Sequence, residues 1–330
     1  MITRRELTTL SGAMLAAAVL PRPASAALAL DLATVWPEGN FHTQNARRFA
    51  AETAKATNGG VTINVHSGGS LGFKGPEQLR AVRDGLVPIA DVLNIQQIGD
   101  EPLLGIESIP FLVESERELK ILHKHVRPAY EAIAAKNNQK VLYMVPWPTQ
   151  YLHLKVKADT VDGLKGIKIR VPDKNAQDMC AAIGMAPVLI PWGETIPALA
   201  SGAVSGVSTS AVSGVDGKFW EFLKYSYPTN HAWSCQMVNI SLDTWKTLAT
   251  HQQTIEQLGK TLEPEFWAAS LKADTDSVKR LTDGGMEVVQ IPPAMMKDLR
   301  ARTASLLDDF IKRVPASEKP IRTYLAEVKR

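Results

Sequence analysis

Segments that read as β-strands alternate with segments that read as α-helices along nearly the whole chain, and this alternation constrains the fold more than any motif does. LALDLATVW is strand-like, and NFHTQNARRFAAETAKAT is helical, opened by Asn40 as its N-cap and closed by Gly59-Gly60. VTINVHSG alternates like a half-buried strand, GPEQLRAVRDG is a short helix, and VPIADVLN is a strand. A long helix, ESERELKILHKHVRPAYEAIAAKN, leads to the strand KVLYMVPW. From Gln150 the grammar repeats: YLHLKVK and GIKIRVP are strands, DKNAQDMCAAIG a helix, APVLIP a strand, and ETIPALASG a helix opened by Glu194. CQMVNISL is again strand-like, residues 241–285 hold one or two long helices, EVVQIP is a last strand and PAMMKDLRARTASLLDDFIKRV a closing helix. Such alternation builds α/β layers with mostly parallel sheets.

The first 26 residues stand apart from this pattern. They carry Arg4 and Arg5, an apolar run from about Leu10 to Leu20, and Ala24-Ser25-Ala26 as a small-residue cleavage site, which together make a secretory signal peptide. Thr3-Arg4-Arg5-Glu6-Leu7 also fits a twin-arginine export signal. The apolar run is too short to span a bilayer, and no later stretch reaches about 18 uninterrupted apolar residues. The expected mature protein is therefore soluble and exported to the periplasm.

Cleavage removes three arginines and one glutamate, so the formal net charge drops from +3 to +1. A nearly neutral chain with no Lys/Arg block interleaved with aromatics is a poor nucleic-acid binder. The 304 residues left exceed what a single core usually supports, which predicts two lobes. No flexible linker separates them, so the chain is expected to cross between lobes on strands. Of the two cysteines, Cys180 lies in a helix-like apolar segment and Cys235 in a strand-like one; two separate buried thiols are favoured over a disulfide.

Signals for catalysis are weak. The sequence has no Gly-x-Ser-x-Gly elbow, no phosphate-cradling loop and no His-Glu-x-x-His. Gly68-Gly69-Ser70-Leu71-Gly72 follows a strand but lacks the dinucleotide fingerprint, so it reads as a tight connection. His123 and His125 sit two apart on a helix and face different ways, and the other five histidines are scattered, so neither a metal set nor a cofactor is expected. Tryptophans are more suggestive: Trp147 precedes the crossover at Gln150, Trp192 ends the strand APVLIPW, and Trp233 precedes the returning strand. Core packing accounts for most tryptophans, but strand ends in open α/β sheets border the ligand crevice.

One short stretch poses a sharper choice. In GLKGIKIRVPD, alternation puts Ile167, Ile169 and Val171 on one face and Lys168 and Arg170 on the other. Periodicity makes the two bases equivalent: either both are solvated, or Arg170, at the strand's end, faces a cleft and holds an anion.

Several segments in order resemble the DctP-type solute-binding proteins of tripartite ATP-independent periplasmic (TRAP) transporters, over essentially the whole mature chain. They are Asn58-Gly59-Gly60 followed by Gly69-Ser70-Leu71-Gly72; the run from Arg83 to Asp91; Leu164 to Pro172; Glu194 with Ala198-Leu199 and Ser201-Gly202; and Ser241 to Leu248. The resemblance implies a two-lobed α/β periplasmic-binding-protein-like fold, with crossing hinge strands and a long helix spanning both lobes. Residues 27–148 plus about 236–275 are expected in lobe I, and 149–235 plus about 276–330 in lobe II. It also implies an arginine that holds a ligand carboxylate, here Arg170, and membrane permease subunits as partners. A planar guanidinium donates two parallel hydrogen bonds to a carboxylate, a geometry lysine cannot match.

Where some acid-sugar binders of the family place a second arginine, this chain has Gln150; the frequent Val-Asp-Gly reads Val204-Ser205-Gly206; and the downstream polar position falls at Thr209 or Ser210. One cation with neutral helpers suits a single carboxylate. The expected ligand is a 2-oxo or 2-hydroxy monocarboxylate with an apolar, aromatic-compatible body, bonded by Gln150 or Ser210 and stacked on Trp192. Trp36, Trp147, Trp233, Phe73 and Leu93 are expected to complete the walls as the lobes close. A sugar acid is the alternative ligand, and a periplasmic enzyme or a sensor subunit the alternative class.

Overall fold

The computed structural model describes residues 27–330; the expected signal peptide lies outside the described residues. The first lobe opens with β1 (Leu28–Ala33), α1 (Phe41–Ala56), β2 (Val61–His66), α2 (Gln78–Arg83), β3 (Ile89–Leu93), α3 (Glu116–Lys136) and β4 (Gln139–Trp147). The chain then crosses over to form β5 (Tyr151–Leu154), β6 (Lys168–Val171), α4 (Lys174–Ala182), β7 (Ala186–Leu189), α5 (Trp192–Ala200), β8 (Gly206–Thr209), α6 (Ala211–Asp216) and β9 (Tyr225–Tyr227). It returns on β10 (Ser234–Ser241), followed by α7 (Leu242–Thr247), α8 (Gln252–Asp283), β11 (Glu287–Val288), α9 (Pro293–Thr303), α10 (Leu306–Arg313) and α11 (Glu318–Glu327).

Two sheets result, ordered β2-β1-β3-β10-β4 and β11-β9-β5-β8-β6-β7. Both are mostly parallel, as the alternation predicts, and each carries a single reversed strand. β10 runs antiparallel to β3 and β4 because it enters the first sheet from the second lobe, and β5 is antiparallel to β8 and β9 for the mirror-image reason. The chain thus crosses between the lobes from β4 to β5 and from β9 to β10, through short irregular connections at 148–150 and 228–233.

The 32-residue α8 ties the lobes together. Its first half buries Ile255, Leu262 and Phe266 against the first sheet, and near its end Leu281 joins the second lobe's core beside Phe219. Trp267 Nε1 donates to the Met144 carbonyl at 2.9 Å and Ser270 Oγ to that of Pro146 at 2.7 Å, fixing the helix to β4. Gly259 permits the approach, because a Cβ there would sit 2.2 Å from the Leu142 carbonyl oxygen.

Local signals account for most ends. Asn40 caps α1, its side chain accepting from the His42 amide at 2.8 Å. α5 starts two residues before Glu194, with Trp192 as its first residue. The closing helix is broken into α9 and α10, and the chain continues into α11. Residues 310–324 pack with Leu119, Leu122, Val126 and Tyr130 of α3, in the first lobe, where the sequence boundary puts them in the second. Their apolar stripe finds its complement on α3, a partner that local pattern cannot name. Cys180 and Cys235 are both free and buried, in the cores of different lobes.

Candidate functional site

The ends of β1, β3, β4, β6 and β8 converge where the lobes meet, as crevice-lining strand ends do in open α/β sheets. Between them lies a small cavity lined by Trp36, Leu93, Ile95, Gln96, Trp147, Gln150, Arg170, Pro172, Trp192, Thr209, Ser213 and Ser234. A larger groove on the first lobe, around Arg127, Lys140 and Trp245, is open and lined by mutually paired charges.

Arg170 and Lys168 occupy alternate positions of β6, yet Lys168 is exposed while Arg170 is only 2% exposed. β7 and β8 flank β6 on both sides, and Pro172 ends the strand beyond Arg170. Arg170 Nε donates to the Ile190 carbonyl at 2.8 Å, which orients the guanidinium; among the described residues its terminal nitrogens bond no protein acceptor. Burial pushes the guanidinium down to about 10, against the opposing pull of Asp173. Asp173 itself caps α4, accepting from the amides of Asn175 and Ala176, and burial raises it to about 6. An anion entering here meets a desolvated cation with spare donors, the arrangement in which a charge-assisted bond is strongest.

The walls are aromatic. Trp36 and Trp147 of the first lobe meet edge to face at 4.5 Å, and Trp192 of the second lobe lies 5.9 Å from Trp36. Trp147 Nε1 donates to Gln236 Oε1 at 2.9 Å, and Gln236 Nε2 in turn donates to the Asp91 carbonyl, which locks that ring. Trp36 Nε1 is buried without a partner. Gln150 Nε2 reaches only the Pro148 carbonyl, at 3.3 Å. Across the lobes, Asn40 Nδ2 donates to Asp216 Oδ2 at 2.6 Å and Lys74 pairs with Glu194 at 2.8 Å.

Seven of the ten residues singled out from sequence meet around this cavity: Arg170, Gln150, Trp192, Thr209, Trp36, Trp147 and Leu93. Three do not. Ser210 Oγ caps α6, accepting from the Ser213 amide at 3.2 Å, because the residue after β8 is also the helix N-cap; Ser213, one turn on, lines the cavity instead. Trp233 is buried in the first lobe's core, donating to the Val113 carbonyl, because it faces away from the cavity that its neighbour Ser234 lines. Phe73 lines a second space, of about 230 Å³, between the 68–75 loop and the start of α5. Gln96, Ser213 and Ser234 carry no sequence signal, because each is an ordinary polar residue until the lobes close around it.

The model of the DctP family, described as bacterial extracellular solute-binding protein family 7, matches residues 32–313. The structure is similar to DctP7 of Bordetella pertussis, an extracytoplasmic solute receptor binding pyroglutamic acid: 30% identical, covering 90% of this chain and 99% of that one, TM-score 0.86. It is also similar to a marine metagenome TRAP solute-binding protein specific for pyroglutamate, at 27% identity, 91% and 99% coverage and TM-score 0.87. The C4-dicarboxylate-binding periplasmic protein DctP of Rhodobacter capsulatus is 23% identical over 265 residues, 77% of each chain. With its two mixed sheets, lobe crossings and spanning helix, this chain belongs to the DctP family of bacterial extracellular solute-binding proteins.

Proposed function

We propose that this protein captures a small organic monocarboxylate in the periplasm by hinge closure and delivers it to the membrane subunits of a TRAP permease. The observation that carries this reading is Arg170: a buried guanidinium, oriented through Nε, whose remaining donors have no protein acceptor. No second lysine or arginine lines the cavity, which supports one carboxylate. The ligand carboxylate accepts from Arg170, its other polar atoms meet Gln150, Thr209, Ser213 and Ser234, and its apolar body lies against Trp36, Trp147 and Trp192. Because wall residues come from both lobes, a ligand touching both favours the closed form by its differential affinity.

A compact body fits better than an aromatic one, because three indoles already occupy the walls of a small cavity. Pyroglutamate, a ring amide bearing one carboxylate, is the leading candidate, supported by the two pyroglutamate-binding neighbours at 30% and 27% identity. Calorimetric titration with L-pyroglutamate, 2-oxo acids, phenylglyoxylate and glucuronate tests the reading. Nanomolar to micromolar binding of pyroglutamate or a 2-oxo acid is expected; binding of glucuronate alone would overturn it. Recovering the bound acid unchanged after long incubation with the protein is the outcome expected of a carrier, and its conversion would establish an enzyme.

A further inference from the structure

Away from the cleft, the first lobe's core holds a set of buried polar side chains that ligand capture does not use. Glu107, from the 3₁₀ stretch Pro102–Ser108, His123 of α3 and Cys235 of β10 each present one ligating atom, all within 4.8 Å of one another. Their exposures are 1%, 7% and 0%. Apolar neighbours surround them, among them Leu104, Leu119, Val126 and Met237. Glu107 Oε1 and His123 Nε2 stand at an ion-pair distance of 3.0 Å without hydrogen-bond geometry, and the Tyr130 hydroxyl lies against Glu107.

A carboxylate buried among aliphatic side chains without hydrogen bonds is costly, so native structures almost always pair it or place it on a metal. A Glu107–His123 ion pair leaves out the Cys235 sulfur, whose hydrogen bond is a weak 3.6 Å contact with the Gln236 carbonyl. A divalent cation among the three engages all of them. Carboxylate oxygen, imidazole nitrogen and thiolate sulfur are all zinc donors, and ligands about 2.0–2.3 Å from one ion stand roughly 3.3–3.5 Å from each other in a tetrahedron. Charge closes as well: one carboxylate and one thiolate balance a dication with the imidazole neutral. The soft sulfur selects against magnesium and calcium.

We propose that Glu107, His123 and Cys235 form a structural zinc-type site that clips β10, the strand returning from the second lobe, to the Pro102–Ser108 segment and α3. On binding, the sulfur–metal bond forms as the thiol proton leaves to solvent, while the carboxylate and neutral imidazole bind without further change. The three residues are 16 and 112 positions apart along the chain, which is why histidine spacing gave no hint of them.

The test uses the full mature chain, stripped with chelator and titrated with Zn²⁺ against a chromophoric competitor, and in parallel with Co²⁺. One equivalent should bind, Co²⁺ should give a thiolate-to-metal charge-transfer band, and the unfolding midpoint should rise with metal. Cys235→Ser and His123→Gln should each weaken uptake at least tenfold and, for Cys235→Ser, abolish the band. No uptake, or uptake without the band, as exposed His–carboxylate pairs such as His66–Asp31 would give, overturns the proposal. Should either variant fail to fold, the cobalt spectrum of the unaltered protein decides alone.

Discussion

Replacing Arg170 separates what the guanidinium does for the ligand from what it costs the protein. With Nε held by the Ile190 carbonyl, the terminal nitrogens are free to donate two charge-assisted bonds to a carboxylate. Removing them leaves the ligand's charge desolvated and unpaired, an effect of about 3–5 kcal/mol. At about 1.4 kcal/mol per decade, Arg170→Ala should weaken binding roughly 10²- to 10⁴-fold. Arg170→Lys keeps the charge but loses the fork and should fall between. The same burial lowers the guanidinium to about 10, a desolvation cost of roughly 3 kcal/mol against the charged group. Desolvation of that charge opposes closure without ligand, so the shorter, uncharged variant Arg170→Met should leave the unliganded protein more compact. Calorimetry gives the affinity and small-angle scattering the closure. A dissociation constant within tenfold of the unaltered protein would refute the carboxylate role. An unliganded Arg170→Met protein no more compact than the parent would refute the desolvation argument.

Other expectations follow from specific contacts. Asn40→Asp keeps the α1 cap but sets a carboxylate against Asp216, which burial raises to about 6; ligand binding should weaken about tenfold at pH 8 and much less at pH 5, by calorimetry at both. Asp91 is buried, accepts from Thr34 at 3.0 Å and is raised to about 7 by desolvation. A carboxylate raised on folding loses stability as pH climbs from about 3.8 and reaches the full cost above about 7, so Asp91→Asn should raise the unfolding midpoint at pH 8 and leave it unchanged near pH 3.5. His153 and His231 are pushed down to about 4 and about 3 by burial, so they oppose folding as pH falls below about 6.5; a double His→Gln variant should lose less stability between pH 7 and pH 4. Gly259→Ala drives a Cβ into the Leu142 carbonyl, and overpacking of about 1–3 kcal/mol should outweigh the roughly 1 kcal/mol helix gain, lowering the midpoint in thermal unfolding.

The sequence by itself determined the α/β alternation, the cap at Asn40 and the crossing at Gln150, while Arg170 stood out only through the family resemblance. Those features are local: a cap needs one side chain and the next amides, and a strand or helix shows in its own period. The tertiary structure decided what local pattern leaves degenerate. Lys168 and Arg170 share a face of β6, and only the packing of β7 and β8 against it, with Ile190 as acceptor, buries one and leaves the other in solvent. The antiparallel course of β10 follows from the direction in which the chain re-enters the first sheet. Ser210 gave way to Ser213 because a helix cap had first claim on its hydroxyl, and Trp233 went to the core because it faces the opposite way from Ser234, which lines the cavity. Gln96, Ser213 and Ser234, like Glu107, His123 and Cys235, come together only through contacts between residues distant in the chain, and such contacts leave no period or spacing in a single sequence.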